Sequence, residues 1–308
     1  MKNFVIVGAA GFIAPRHMKA IKETNNNLIA AMDPSDNVGI LDTYFPNADF
    51  FTDFSRLDRY LSKLKSEKTK IDFITICTPN FLHDFYIRYA LKNNINAICE
   101  KPLVINPKNL EEINYLEKKS KKNIYTILQL RNHPNILKLR NEINNKKKYD
   151  VELTYITSRG KWYHISWKGD EEKSGGILMN IGIHFFDLLI WVFGSVKKYE
   201  LHHYSKTTAT GFLDLERANV KWFLSIDEKF IPKINNNKKT YRSIRVNKDE
   251  LDLDYDFNNL HTITYDNIFK KKGYGVSDSK ESIKLVSKLR EEKVQNKMNN
   301  THPFKIKL

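Results

Sequence analysis

The chain has 308 residues, 41% of them hydrophobic, enough to fill the cores of two domains. Its net charge of +15 (51 Lys+Arg against 36 Asp+Glu) raises the question of nucleic acid. The lysines are dispersed among asparagines, as in residues 144–148 and 235–239, and no helix-turn-helix, zinc-finger or aromatic RNA-binding pattern accompanies them, so the charge reads as a solvated surface that would favour anionic substrates.

No run approaches the ~18–20 apolar residues that span a bilayer, and the opening segment Met1–Gly8 is too soon interrupted for a secretory segment. Cys77 and Cys99, both in apolar runs, make no disulfide framework. A cytoplasmic protein with neither a membrane nor a nucleic-acid partner is expected.

Phe4-Val5-Ile6-Val7 predicts a short strand running straight into Gly8-Ala9-Ala10-Gly11-Phe12-Ile13-Ala14, with a helix from Ala14 or Pro15 through Lys22. Strand, glycine turn and helix form the context in which such a loop binds a dinucleotide. Gly8 permits the tight turn, Gly11 lets backbone approach a pyrophosphate, Ala14 lets helix and strand pack, and the helix N-terminus offers N–H groups to the anion. Ala10, Phe12 and Ile13 belong to the same candidate site. The spacing, G-x-x-G-x-x-A, departs from the usual G-x-G-x-x-G. The next apolar run, Leu28 to Met32, ends in Asp33, 25 residues after Gly8. An acid there accepts hydrogen bonds from the adenosine ribose and repels a 2′-phosphate, favouring NAD over NADP; the alternative is a turn acid in Asp33-Pro34-Ser35.

Alternation continues: a helix about Tyr60–Lys65, a buried strand Ile71–Cys77 ending in Thr78-Pro79-Asn80-Phe81-Leu82-His83, and a helix from Asp84 to Asn93. A strand Ile95–Cys99 ends in Glu100-Lys101-Pro102, then a helix Asn106–Lys119 and a strand Ile124–Leu128 follow. The pattern predicts an α/β architecture with a Rossmann-type doubly wound parallel sheet over residues 1–123. Ligands in such sheets sit beyond the carboxyl ends of the strands, where every motif named so far lies.

Gly8-Ala9-Ala10-Gly11 with Asp33, Cys77-Thr78-Pro79-Asn80-Phe81-Leu82-His83 and Glu100-Lys101-Pro102, in this order, resemble the Gfo/Idh/MocA family of nicotinamide-dependent sugar oxidoreductases. The resemblance implies NAD as cofactor, held by these loops with Thr78, Pro79, Asn80, His83, Glu100 and Lys101, and a catalytic role for Lys101 near the nicotinamide and the reacting hydroxyl. Glu100 reads either as a carboxylate that holds Lys101 or as a ribose contact, and His83 either as a helix start reaching the cofactor or as a cap.

Gly8 through His17, Gln129–Pro134, Arg159–Tyr163 and Ser166–Gly169 resemble more narrowly the bacterial UDP-N-acetylglucosaminuronate 3-dehydrogenases of surface-glycan pathways. That resemblance implies a UDP-sugar uronate substrate in lipopolysaccharide O-antigen biosynthesis, and an aminotransferase acting downstream. It also implies 2-oxoglutarate as an acceptor that reoxidises bound NADH. Other sugar or cyclitol dehydrogenases of this fold, or an NAD-binding regulator, remain as rivals.

The second domain, 124–308, is predicted as α+β: a helix Asn135–Asn144, a strand Asp150–Thr157, then alternating segments Lys197–Tyr204, Thr208–Leu215, Asn219–Ile226 and Tyr241–Val246 in an open, largely antiparallel sheet. In the resembled family such a sheet joins subunits, implying a dimer or tetramer. Residues 230–260 read as loop-rich, Ser277–Lys293 as a last amphipathic helix, and Val294–Leu308 as uninformative. The run Gly175–Asp187 is apolar on nearly every side, predicting a buried helix, yet spacings of four and three align Asn180, His184 and Asp187 on one face.

From the helix alone His184 reads as a core histidine satisfied by a neighbouring carboxylate; the resemblance makes it the candidate base for a sugar hydroxyl, because an imidazole accepts a proton near neutral pH. Lys101 orients the hydroxyl and stabilises the alkoxide, or serves as base if burial lowers its pKa. Arg131, Arg159, Lys161 and Lys168 are candidates for the uronate carboxylate or the diphosphate, with solvated cations as the alternative. Asn180 stands where much of the resembled family has Asp, and can only hydrogen-bond. Trp162, Tyr163 and Trp167 read as packing residues rather than stacking platforms, and Asp187 as orienting His184 or closing the helix.

Overall fold

A computed structural model describes residues 1–232, 239–253, 259–295 and 299–304. The apolar runs of the first half are short and buried along nearly their whole length, as strands of a parallel sheet covered on both faces are. In chain order they and their helices are β1 (Asn3–Val7), α1 (Ala14–Glu23), β2 (Asn27–Met32), α2 (Ile40–Tyr44), β3 (Asp49–Phe51), α3 (Phe54–Ser66), β4 (Phe73–Ile76), α4 (His83–Lys92), β5 (Asn96–Cys99), α5 (Lys108–Ser120) and β6 (Ile124–Thr126). The sheet order is β3-β2-β1-β4-β5-β6, every pair parallel.

In register, Val7 lies beside Met32 and Ile76, and Ile76 beside Cys99. The next residues of those four strands, Gly8, Asp33, Cys77 and Glu100, therefore leave the sheet along one edge. That edge includes the place between β1 and β4 where the strand order reverses, and ligands bind at such a reversal.

Two compact units divide the chain: Met1–Gln129 with Asp256–Ser279, and Leu130–Tyr255 with Lys280–Leu308. The division read from sequence put everything after residue 123 in the second domain. A helix absent from that reading, α10 (Leu260–Phe269), instead joins the first unit. It does so because Tyr265 and Ile268 complete the core that Phe4, Met18, Ile21 and Phe73 form; Tyr265 stacks on Phe4 at 5.9 Å.

The second unit contains α6 (Pro134–Glu142), β7 (Tyr149–Thr157), α7 (Lys161–Ile165), α8 (Glu171–Ser174), α9 (Ile183–Phe193), β8 (Val196–Tyr204), β9 (Thr208–Leu215), β10 (Ala218–Ser225), β11 (Thr240–Val246) and β12 (Asp249–Glu250). The last helix, α11 (Val276–Glu291), belongs to the second unit from Lys280 onward. The sheet of the second unit, ordered β12-β11-β7-β10-β9-β8, is antiparallel except where β7 and β10 run parallel. The loop-rich region expected at 230–260 holds β11 and β12, and its stretches 233–238 and 254–258 lie outside the described residues.

One expectation is corrected by the helical stretch Glu171–Phe193, which is long and apolar enough by composition to cross a bilayer, although no such run was counted in the sequence. In the fold 78% of its apolar window is buried, the behaviour of a core helix. Phe186 meets Trp222 of β10 edge-to-face at 5.2 Å, and a Cβ on Gly182 would come within 2.7 Å of Leu224. The tail also carries structure. His302 is fully buried, stacks on Phe223 at 5.5 Å and shares a 3.0 Å hydrogen bond with the Thr154 hydroxyl.

Candidate active site

The glycine loop turns where only glycine fits. Gly8 has φ +84°, and a Cβ there would lie 2.6 Å from the backbone carbon of Cys77, inside any allowed contact. The loop then packs on the end of β4 and enters α1 with no side-chain cap and no acid in its first turn. By contrast, Asp53 caps α3 by accepting from the Arg56 amide. The start of α1 is thus uncapped and uncontested by carboxylates, which is what a phosphate-binding helix end requires. Phe12 projects from this loop 86% exposed, while Ala14 is fully buried against the sheet.

Asp33 is braced from both sides: Oδ2 accepts from the Ala10 amide at 3.0 Å and Oδ1 from the Ser35 amide at 2.9 Å. The second bond is the turn interaction that competed with the ribose role, and both coexist because each carboxylate oxygen has a second lone pair. The residues present therefore fit a dinucleotide: a glycine cradle, an uncapped helix start and a fixed carboxylate.

Thr78, Pro79 and Asn80 continue from β4, with Thr78 and Asn80 buried. His83 neither caps nor projects. Its Nδ1 lies 2.6 Å from the Pro102 carbonyl oxygen and its Nε2 2.9 Å from that of Thr78; the one N–H of the neutral ring donates to one of them, and the ring sits between the loop after β4 and the loop after β5. Burial holds this imidazole below its ordinary pKa against the pull of the two carbonyls.

Glu100 faces inward rather than towards a ribose. Its Oε1 accepts from His17 Nε2 at 3.0 Å and from His261 Nε2 at 3.1 Å. His17 Nδ1 lies 2.8 Å from the Tyr265 hydroxyl, itself 3.0 Å from that of Thr75. Burial alone would push the Glu100 carboxyl up, but the two imidazole donors outweigh it and hold it well below the usual carboxylate range. Burial lowers His17 in turn. An ionised Glu100 that accepts an N–H from each imidazole satisfies this network. Neither His17 nor His261 was a sequence candidate, and His261 lies on a helix that the sequence reading did not contain.

In the second unit the buried helix opens with a π-helical turn, Leu178–Gly182, before α9. Such wider turns are frequent at functional sites. Met179, Ile181 and Ile183 are buried, whereas Asn180 and His184 are only half-buried, so these two polar groups come to the surface of an otherwise apolar helix. Asn180 Nδ2 donates to the Tyr163 hydroxyl at 2.7 Å. That bond pulls the phenol's pKa down, but burial outweighs it and raises the group overall. Tyr163 is 3% exposed and packs, whereas Trp162 beside it is 52% exposed.

Asp187, read as orienting His184 or closing the helix, grips Arg131 with its two oxygens, at 2.9 Å from Nε and 2.7 Å from Nη2. Arg131 is 4% exposed, with Trp191 5.5 Å from its guanidinium. It is a structural cation rather than an open anion receptor. Arg159 and Lys161 are exposed, and Lys168 is half-buried with its ammonium 5.2 Å over Trp162 and 5.5 Å over Trp167. Burial, with Arg159 adding to it, lowers the Lys168 pKa.

Residues 2–127 match the oxidoreductase-family NAD-binding Rossmann fold, and residues 139–231 the C-terminal alpha/beta domain of the same family. The chain is 44% identical to the WlbA (WbpB) dehydrogenase from Thermus thermophilus, with a TM-score of 0.95 over 99% of this chain and 100% of that one. That protein was crystallised with NAD and alpha-ketoglutarate, and with NAD and UDP-GlcNAcA. The WlbA dehydrogenase from Bordetella pertussis shares the fold at 17% identity, with a TM-score of 0.76 over 94% of each chain. Glucose-6-phosphate 3-dehydrogenase of Bacillus subtilis is 25% identical over 211 residues, covering 63% of this chain and 55% of that protein. D-glucoside 3-dehydrogenase of Escherichia coli is 26% identical over 142 residues, 44% of this chain and 40% of that protein. The chain thus spans about half the length of these curated relatives. With both units matched in order and a 44%-identical relative covered end to end, the chain belongs to the Gfo/Idh/MocA oxidoreductase family.

Proposed function

We propose that the chain is an NAD-dependent dehydrogenase that oxidises the 3-hydroxyl of UDP-N-acetyl-D-glucosaminuronate to the 3-keto sugar. The observation that carries this reading is the 44% identity, over 99% of the chain, to a dehydrogenase crystallised with NAD and UDP-GlcNAcA. Gly8, Ala10, Gly11, Phe12 and Ile13 hold the pyrophosphate at the start of α1, and Asp33 holds the adenosine ribose. Thr78, Pro79 and Asn80 line the cofactor's path along the same sheet edge. When bound, NAD supplies the acceptor for the hydride that leaves C3 of the sugar.

In this reading His184 takes the 3-hydroxyl proton, and the Lys101 amine hydrogen-bonds the oxygen as charge develops on it. Asn180, fixed by Tyr163, hydrogen-bonds the sugar without competing for the proton. Arg159, Lys161 and Lys168 receive the uronate carboxylate or the diphosphate. The setting is cytoplasmic biosynthesis of O-antigen or a related surface glycan by a homo-oligomer. A 3-keto product is a substrate for transamination, which places an aminotransferase next. The complex of the Thermus thermophilus relative with alpha-ketoglutarate supports the 2-oxoacid as the acceptor that reoxidises the cofactor.

The test is NADH formation with UDP-N-acetylglucosaminuronate beside glucose 6-phosphate, free glucosides and inositols, each with and without 2-oxoglutarate. Turnover of the UDP-uronate alone is expected; turnover confined to the hexoses or inositols overturns the substrate. Lys101→Met and His184→Ala should abolish turnover while NAD binding, measured by calorimetry, persists. Unchanged turnover in both removes their catalytic assignment.

A further inference from the structure

Beyond β7 the chain enters a short segment that folds back on itself. Its turn Trp167–Gly169 presses on α7, so that a Cβ on Gly169 would lie 2.5 Å from the His164 carbonyl oxygen. Ser166 braces the fold from within: its hydroxyl donates to the Tyr163 carbonyl at 2.9 Å and accepts from the Lys168 amide at 3.3 Å. The reversal returns Lys168 to the neighbourhood of Arg159, near enough for the guanidinium charge to act on the ammonium. Lys168 is half-buried, with its Nζ 5.2 Å over Trp162 and 5.5 Å over Trp167. Two indole faces hold that ammonium in place, where an ordinary surface lysine would swing in solvent.

These cations have no counter-charge. Among the described residues neither Arg159 nor Lys168 enters an ion pair, and burial and the Arg159 charge both push the Lys168 pKa down with no carboxylate opposing them. The neighbouring acids are engaged elsewhere. Asp170 caps α8 and lies 3.3 Å from the Lys173 ammonium. Glu171 accepts from the Tyr204 hydroxyl at 2.9 Å, and Glu228 from the Ser158 hydroxyl at 3.2 Å. Like charges held together beside apolar rings raise each other's energy, and an anion placed against both recovers it. A carboxylate carries one charge and leaves the second cation unmatched. The diphosphate of a sugar nucleotide carries one charge on each phosphate and matches both, with the guanidinium fork and the ammonium as its donors.

We propose that Arg159 and Lys168 form a diphosphate subsite, and that it takes free UDP as well as the sugar nucleotide. The inference rests on the UDP-sugar reading above and narrows it: these two cations hold the diphosphate, and the uronate carboxylate touches neither. Free UDP, which presents the same group, then competes with the substrate.

Calorimetry on the full chain with NAD bound tests the subsite, with UDP, UDP-N-acetylglucosamine and UDP-N-acetylglucosaminuronate as probes. UDP is expected to bind, and to compete with the UDP-uronate in the NADH assay. Lys168→Met keeps the apolar stem against the indoles, and Arg159→Gln keeps much of the side chain's length. Each should weaken all three nucleotides by the same factor, about 10- to 100-fold, as the loss of a hydrogen bond between charged groups does, with NAD affinity unchanged. Arg159 is exposed, so its variant carries the test if Lys168→Met does not fold. Wild-type affinities in both variants overturn the subsite, as does UDP that fails to bind or to compete. A loss confined to UDP-N-acetylglucosaminuronate also overturns it, because the cations then hold the carboxylate. Turnover of the UDP-uronate by the wild type, with variants that bind it unchanged, sinks the subsite alone. A wild type that binds none of the three nucleotides sinks the UDP-sugar reading and the subsite together. One that binds UDP through these residues and oxidises no UDP-uronate keeps the subsite and removes the reaction.

Discussion

Asp187→Asn isolates the pair that holds α9 to the start of the second unit. The carboxylate and the Arg131 guanidinium share two hydrogen bonds of 2.9 and 2.7 Å, and the two residues are 3% and 4% exposed. Each charge-assisted bond contributes roughly 1.5–3 kcal/mol, but the larger effect is what remains after the substitution: a guanidinium in the interior without its counter-charge. Breaking one side of a buried pair costs about 3–5 kcal/mol. The Trp191 ring, 5.5 Å from the Arg131 guanidinium carbon, offsets part of this, since a cation over an aromatic face gains about 0.5–2 kcal/mol. The expected loss is therefore about 3 kcal/mol, near the lower end of that range.

All four tryptophans, Trp162, Trp167, Trp191 and Trp222, belong to the second unit. Their fluorescence during urea unfolding therefore reports the stability of that unit. With a slope of about 2–3 kcal/mol per molar urea, the midpoint should fall by roughly 1–1.5 M. The double variant Arg131→Met/Asp187→Leu should recover most of the loss, because an apolar replacement of both partners leaves no buried charge. A fall below about 1 kcal/mol in Asp187→Asn, or a double variant no better than the single one, refutes the reasoning.

Gly8→Ala forces a side chain into φ +84° and a Cβ to 2.6 Å from the Cys77 backbone; the left-handed conformation alone costs about 1–2 kcal/mol, and calorimetry should show NAD binding lost. Asp33→Ala removes the carboxylate that receives the Ala10 amide; NAD affinity should fall about 10- to 100-fold, the equivalent of one or two hydrogen bonds to a charged group, with the preference for NAD over NADP reduced. His302 provides a pH test: burial, with Lys221 and Arg245 adding to it, lowers its pKa to about 3 in the fold. An unfolded histidine titrates near 6.5, so above that pH the group is neutral in both states. As pH falls from 6.5 towards 3 the unfolded state takes up the proton first, and stability falls by at most about 1.4 kcal/mol per pH unit. Urea midpoints of the wild type should therefore drop faster over this window than those of His302→Asn, and parallel curves would refute the buried neutral imidazole.

Local chemistry determined much of this protein. The strand, glycine turn and helix at residues 4–23 are written in neighbouring residues, because a turn at positive φ and a helix start make demands only on the residues that form them. The same holds for the parallel sheet, whose strands are short apolar runs separated by helices, and for the buried helix, whose composition left Asn180 and His184 as the polar groups to explain. The tertiary structure decided which partners the buried polar groups take. Glu100 meets His17 and His261, 83 and 161 residues away, and Asp187 meets Arg131, 56 residues away. Neither pairing has a period or spacing that a sequence can display.

The same reason explains why α10 went unread and why the tail residue His302 was unforeseen: each is ordered by a surface that another part of the chain supplies. A carboxylate placed by local sequence at the end of β5 could bind a ribose or hold a loop. Two histidines arriving from α1 and α10 turn it inward, because a buried charge takes the nearest donors that the fold brings to it.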